Sequence, residues 1–232
     1  MRLWSEELES LREEAREVVG AALGAMAAFA PPTPEDATVE EKVAAGRAMM
    51  ANFEAPVEGA EEREIAGVPC RVFVPEGPAT AVYLHFHGGG MILGAATMND
   101  AGNQALAREH GVAVVSVDYR LAPEHPFPAG PDDGVAVAAW LVEHAEQEFG
   151  SGRLVLGGES AGGYLAAAVA LRIRDELGAI DRVIGLELVF GVHDWGRSPS
   201  QRGLRAADGP DLLDPDGIEL FVDCYLPDRT PD

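Results

Sequence analysis

Apolar residues at Trp4, Leu8, Leu11, Ala15, Val18 and Ala22 recur at steps of four and three, with Glu and Arg filling the positions between. That spacing describes one buried stripe on an amphipathic helix. Pro31, Pro32 and Pro34 end it, and a second helical pattern runs from about Val39 to Met50. From Glu62 the pattern changes to short extended runs, Arg63 to Ile65 and Cys70 to Val74, which with a tight turn at Gly67 predict an antiparallel hairpin. Strands and helices then alternate. Strands are predicted over Ala81 to Phe86, Val112 to Val117, Leu154 to Leu156 and Val183 to Phe190, and helices over Asn99 to His110, Asp133 to Phe149 and Ala161 to Leu177. Beyond His193 the chain turns to Gly, Pro, Asp and Arg, and the strong helical pattern left is Ile218 to Tyr225.

Strands alternating with helices of these lengths imply right-handed crossovers, hence an α/β fold whose mostly parallel sheet is covered by helices on both faces. Three segments follow: a helical cap over residues 1–55, an α/β core over 56–193, and a second cap segment over 194–232. The stripe of the first helix needs a surface to pack against, so the first cap is expected to dock on the core.

Composition narrows the partners. Seventeen Lys and Arg stand against 39 Asp and Glu, a formal charge of −22, which repels phosphate backbones and anionic lipid surfaces. Nucleic acid and membranes are therefore not expected as partners. The longest uncharged apolar stretch, Val18 to Ala30, has 13 residues, short of the roughly 20 that a membrane-crossing helix needs. The acidic beginning, Met1 to Glu7, does not read as a secretory signal, and a cytoplasmic location is expected. Cys70 and Cys224 lack metal or redox spacing and read as buried, inert thiols; no metal site and no cofactor are expected.

The chemistry concentrates in two glycine-rich turns. Gly158-Glu159-Ser160-Ala161-Gly162 follows an apolar strand and opens an Ala-rich helix, the setting of a nucleophile elbow, in which a strained turn exposes the serine hydroxyl. At this composition a GxSxG match arises by chance about 0.1 times per chain, so the flanking strand and helix carry the assignment more than the pattern does. The N–H of Ala161, at the start of the helix, points toward the same space as an oxyanion donor. His87-Gly88-Gly89-Gly90 leaves another strand, and its glycines leave the N–H groups of Gly88 and Gly89 unshielded as two further donors. A nucleophilic serine opposite such donors points to acyl transfer.

A third stretch, Asp118 to Ala129 (DYRLAPEHPFPA), is made rigid by its prolines. Together HGGGM, DYRLAPEHPFPA and GESAGG resemble the hormone-sensitive-lipase-like family of α/β-hydrolases, over roughly residues 60 to 228. The resemblance implies a carboxylic ester hydrolase acting on small esters with short or medium acyl chains through an acyl-enzyme at Ser160. Gly88, Gly89 and Ala161 would hold the oxyanion, His87 would shape the loop, and Arg120 and Glu124 would hold the proline-rich segment. Glu159 stands where many members carry Asp, a departure not expected to matter. The same scaffold also serves a non-catalytic ligand-binding protein, or an amidase or deacetylase, and these readings stay open.

In this fold the triad runs in the order Ser, then Asp or Glu, then His. The family's late acid and histidine motifs do not occur here, so the triad acid and base remain unassigned. His193, beside Asp194, is the single histidine after Ser160 and falls in a loop leading toward the cap. The expectation is a hydrolase truncated at its C-terminus, with Val183 to Phe190 as an exposed apolar sheet edge open to pairing with another chain as a homo-oligomer.

Overall fold

Thr38 and Glu41 cap each other's backbone: Thr38 N–H donates to Glu41 Oε2 at 2.8 Å, and Glu41 N–H to Thr38 Oγ1 at 3.2 Å. This reciprocal pair satisfies two donors that a helix start leaves open, and α1 (Val39–Met50) begins there, over the segment the sequence pattern predicts. The computed structural model describes residues 36–195 and 215–228, with scattered positions between 11 and 34. Most of the first predicted helix lies outside the described residues. The chain divides into two compact units, Met1–Met49 with Arg197–Leu220 and Met50–Gly196 with Phe221–Asp232.

The second unit carries the sheet. Two left-handed residues, Ala66 (φ 52°) and Gly67 (φ 81°), turn β1 (Glu61–Ile65) onto β2 (Val68–Phe73), pairing Ile65 with Val68 and Glu61 with Val72. Four more strands follow: β3 (Val82–Phe86), β4 (Ala113–Val117), β5 (Leu154–Glu159) and β6 (Val183–Val189). The order across the sheet is β1-β2-β4-β3-β5-β6. β1 and β2 are antiparallel and join β4 antiparallel, whereas β4, β3, β5 and β6 run parallel. All residues of β3 and β4 are buried, as central strands covered on both faces require.

The helices α2 (Asp100–His110), α3 (Ala129–Phe149) and α4 (Ala161–Arg172) supply that cover. On one face Ala107 of α2 packs with Phe73, Tyr83 and Val114. On the other, Gly134 of α3 lies so close to Phe86 and Val169 that a methyl group there would sit 2.9 and 2.7 Å from them. The last helix is α5 (Pro215–Tyr225), over the segment expected to be helical.

Several boundaries differ from the sequence expectation, three of them around the helices and strand that frame the site. α3 starts at Ala129, four residues early, because Pro131 falls in its first turn, where a missing N–H costs nothing. β5 continues through Gly157 and Gly158 to Glu159, since both pair with β3 and β6. The predicted helix to Leu177 is α-helical to Arg172 and closes through a wider π turn, Ile173–Leu177, ending at left-handed Gly178.

Among the described residues β6 pairs with β5 alone. Ile184, Leu186, Leu188 and Phe190 are 48, 48, 39 and 74% exposed, so this edge is apolar as well as open. Among the described residues, no helix is long and apolar enough to cross a membrane.

Candidate active site

Ser160 sits between the end of β5 and the first residue of α4 with φ 55° and ψ −116°, a backbone conformation that is costly for a residue with a side chain. The surroundings impose it. Ser160 N–H donates to the Val189 carbonyl at the end of β6 (2.9 Å), and Tyr164 N–H donates to the Ser160 carbonyl (3.2 Å). A side chain on Gly158 or on Gly162 would collide with the same atom, the Phe86 carbonyl oxygen at the end of β3. Strand, turn and helix thus close on β3 at a distance that only glycine permits, which explains both glycines of the GxSxG pattern.

Position 88 lies directly against this turn, with the space beside its Cα 3.2 Å from the Glu159 carbonyl. Its N–H is engaged: it donates to Glu159 Oε1 at 2.9 Å. The sequence reading offered Gly88 N–H as an oxyanion donor, but here that donor is spent on a carboxylate. Among the described residues the N–H groups of Gly89 and Gly90 have no hydrogen-bond partner, and neither has that of Ala161. Gly89 (φ 121°) reverses the chain tightly enough for its carbonyl to accept from both Ile92 (3.2 Å) and Leu93 (2.9 Å), and a side chain there would strike the Leu93 carbonyl.

His87 is fully buried. Its Nδ1 lies 2.7 Å from the Gly88 carbonyl, and its ring stacks on Tyr119 at 4.2 Å between centroids. Burial holds its pKa down at about 4, against the opposing pull of the Gly88 carbonyl, so the ring is neutral near pH 7 and braces the loop without a charge. Tyr119 completes the brace: its hydroxyl donates to the His87 carbonyl (2.8 Å), and burial raises its own pKa. Arg120 grips Asp133 of α3 from both Nη2 (2.7 Å) and Nε (3.0 Å), while its backbone N–H donates to the same carboxylate (2.8 Å). These bonds tie the proline-rich stretch to α3, where the resemblance places a supporting residue.

Beneath the turn runs a polar chain that the sequence reading missed. The carboxylate of Glu159 faces His85 Nε2 at 3.5 Å, and His85 Nδ1 meets Ser116 Oγ at 2.8 Å and Asn103 Nδ2 at 3.4 Å. Burial alone would raise the Glu159 pKa, but the hydrogen bond and charge of His85, with the Gly88 N–H, bring it below the usual carboxylate value. A signal was present: parallel pairing sets His85 beside both Gly157 and Ser116, and period-two alternation puts Glu159 on the same sheet face.

Aromatic rings gather near the elbow. Tyr164, one turn into α4, packs edge-on against Trp195 (5.3 Å) and Tyr225 (6.2 Å), and Trp195 lies 5.0 Å from Tyr225. The Phe221 ring occupies the space beside Gly90, 2.7 Å from where a Cβ would stand. His193 is exposed in the loop after β6, with its ring against Gly191. Among the described residues no histidine or carboxylate is hydrogen-bonded to Ser160 Oγ. Cys70 and Cys224 are both buried and form no disulfide, and burial pushes the Cys70 thiol up to about 12. Among the described residues no cluster of His, Cys, Asp and Glu has the makings of a metal site.

Comparison with known proteins agrees with this architecture. The carboxylesterase NlhH of Mycobacterium tuberculosis is 35% identical over 217 residues, an alignment covering 84% of this chain and 64% of that protein. The chain therefore spans about two thirds of the length of that relative. Among solved structures, a hyperthermophilic esterase from the archaeon Pyrobaculum calidifontis superposes with a TM-score of 0.75 at 29% identity, over 92% of this chain and 70% of that one. A hormone-sensitive lipase from a metagenome library gives 0.65 at 29% identity, over 91% and 69%. A family model described as the alpha/beta hydrolase fold matches residues 83–232, the stretch that holds both glycine turns and the parallel strands between them. With the sheet order, the elbow and these relatives in agreement, the chain belongs to the α/β-hydrolase fold family, in its hormone-sensitive-lipase-like group.

Proposed function

We propose that this chain carries the nucleophile and oxyanion half of a serine carboxylic ester hydrolase. The observation that carries the reading is Ser160, held at positive φ on a strand-to-helix turn against a loop with amide donors to spare. Ser160 Oγ attacks the ester carbonyl carbon while a general base takes its proton. The carbonyl oxygen, now negative, is held by the N–H groups of Ala161, Gly89 and Gly90. Collapse expels the alcohol with a returned proton, and water then hydrolyses the acyl-enzyme. The family resemblance points to small esters with short or medium acyl chains, and Phe221 beside Gly90 with the Tyr164, Trp195 and Tyr225 rings are the apolar groups near the elbow that would meet them. No step calls for a metal or organic cofactor.

Incubation of the full chain with a fluorophosphonate probe, followed by peptide mass mapping, tests the nucleophile. Covalent label is expected on Ser160, together with hydrolysis of p-nitrophenyl butyrate, and Ser160→Ala is expected to lose both. A second reading, a ligand-binding protein on the same scaffold, draws on Ser160 Oγ, to which no histidine or carboxylate among the described residues is hydrogen-bonded. It takes over if the folded chain neither labels nor hydrolyses.

A further inference from the structure

We infer that Glu159 is a positioning residue whose carboxylate clamps the HGGG loop to the nucleophile turn through Gly88 N–H and is itself held from below by His85. The inference deepens the hydrolase reading and rests on Ser160 being the nucleophile. Three observations carry it. Glu159 Oε1 accepts from Gly88 N–H at 2.9 Å, and Glu159 is covalently next to Ser160, so one residue spans the two halves of the site. The other carboxylate oxygen also has a neighbour: His85 Nε2 lies 3.5 Å from Oε2. Finally, Ser116 Oγ and the Asn103 amide nitrogen converge on His85 Nδ1; the amide can only donate there and the hydroxyl can turn to suit, an arrangement that assigns the imidazole proton to Nε2, facing Glu159.

The consequence for the loop is directional. A peptide unit whose N–H is held by a charged acceptor resists rotation about its flanking bonds. Gly88 is followed by two residues at positive φ, Gly89 and Gly90; the Gly88 and Gly89 carbonyls are held by His87 and by Ile92 and Leu93, and the Glu159 bond adds the hold on the N–H side of the turn. Fixing Gly88 therefore fixes the direction of the next two N–H groups, which are the ones without partners. Engagement of Gly88 makes it the hinge pin of the oxyanion loop, in place of a donor to the oxyanion.

Hydrogen exchange of the full-length chain tests this independently of turnover, comparing wild type with Glu159→Gln and Glu159→Ala. Gln keeps an acceptor for Gly88 but loses the charge, whereas Ala removes both. Peptides covering residues 87–93 are expected to exchange about tenfold faster in Glu159→Ala, with Glu159→Gln in between, while peptides from α3 stay unchanged. Equal loop exchange in all three proteins overturns the inference, and so does faster exchange spread evenly over α3 and the loop, which would mark a purely structural residue. The kinetic arm uses p-nitrophenyl butyrate: Glu159→Gln is expected to lower kcat about tenfold with KM little changed. An unchanged kcat overturns the positioning role. Failure of wild type to turn over or label Ser160 sinks the hydrolase reading instead, and the exchange comparison still decides what Glu159 does.

Discussion

His87 shows how a single buried side chain makes the fold depend on pH. Its pKa is about 4 in the folded chain, against about 6.5 for an unperturbed histidine. The unfolded chain therefore binds the proton first as pH falls. Stability is complete above about pH 6.5 and drains away down to about pH 4, and a shift of this size is worth about 3 kcal/mol. Replacing His87 by Gln, which cannot charge, is expected to flatten this limb. Thermal or urea melts of both proteins between pH 7 and 4 check the slope, and parallel curves would deny His87 the role. Position 162 tests a different limit. Gly162→Ala drives a methyl group into the Phe86 carbonyl, and because both partners are backbone, a loss of about 3 kcal/mol or more is expected in urea unfolding.

At the scale of elements, one buried ion pair joins the hairpin to the first covering helix. Arg71 of β2 grips Asp100, the first residue of α2, from Nε at 2.7 Å and from Nη2, and Val57 N–H adds a third bond to the same carboxylate at 3.0 Å. Asp100 is fully buried. Asp100→Ala leaves the guanidinium with only the exposed Glu62 carboxylate, 3.3 Å from Nη1, and about 3 kcal/mol of unfolding free energy should go with it. Losing Arg71 and Asp100 together, replaced by apolar residues, should cost less than the single change.

This pair also marks where legibility from sequence ends. Strands, helices and their order follow from local periodicity, and the hairpin, the parallel strands and α2 stand close to their predicted spans. The elbow was legible because its glycines and serine are contiguous. Arg71 with Asp100, and His85 with Ser116 and Glu159, join residues far apart in the chain. Such pairings become visible only once strand register is known. The engagement of Gly88 was hidden for a related reason: a glycine-rich loop announces free N–H groups but not which of them a neighbouring carboxylate will take.

At the largest scale, the flank of the sheet at β6, which among the described residues pairs with β5 alone, is the main liability. The apolar edge at β6 was expected from the pattern of Val183 to Phe190, and the exposed Ile184, Leu186 and Leu188 give it substance. An unpaired strand with apolar side chains recruits other strands, against which the charge of −22 supplies long-range repulsion. The two effects respond oppositely to salt. Light scattering of the purified chain is expected to rise with ionic strength as repulsion is screened, and Leu186→Lys should suppress that rise. A chain that stays monomeric in high salt with a high melting midpoint would show that this flank is harmless.

Phe221 and Gly90 make a matched pair, because the ring stands where a side chain on residue 90 would grow. Shortening Phe221 clears that space, but Gly90 also stands at φ 63°, where a side chain is strained whatever the room, so position 90 is held to glycine on two counts. Trimming Phe221 while residue 90 stays glycine is therefore the route to bulkier esters, and Phe221→Ala is expected to hydrolyse esters that the parent chain refuses.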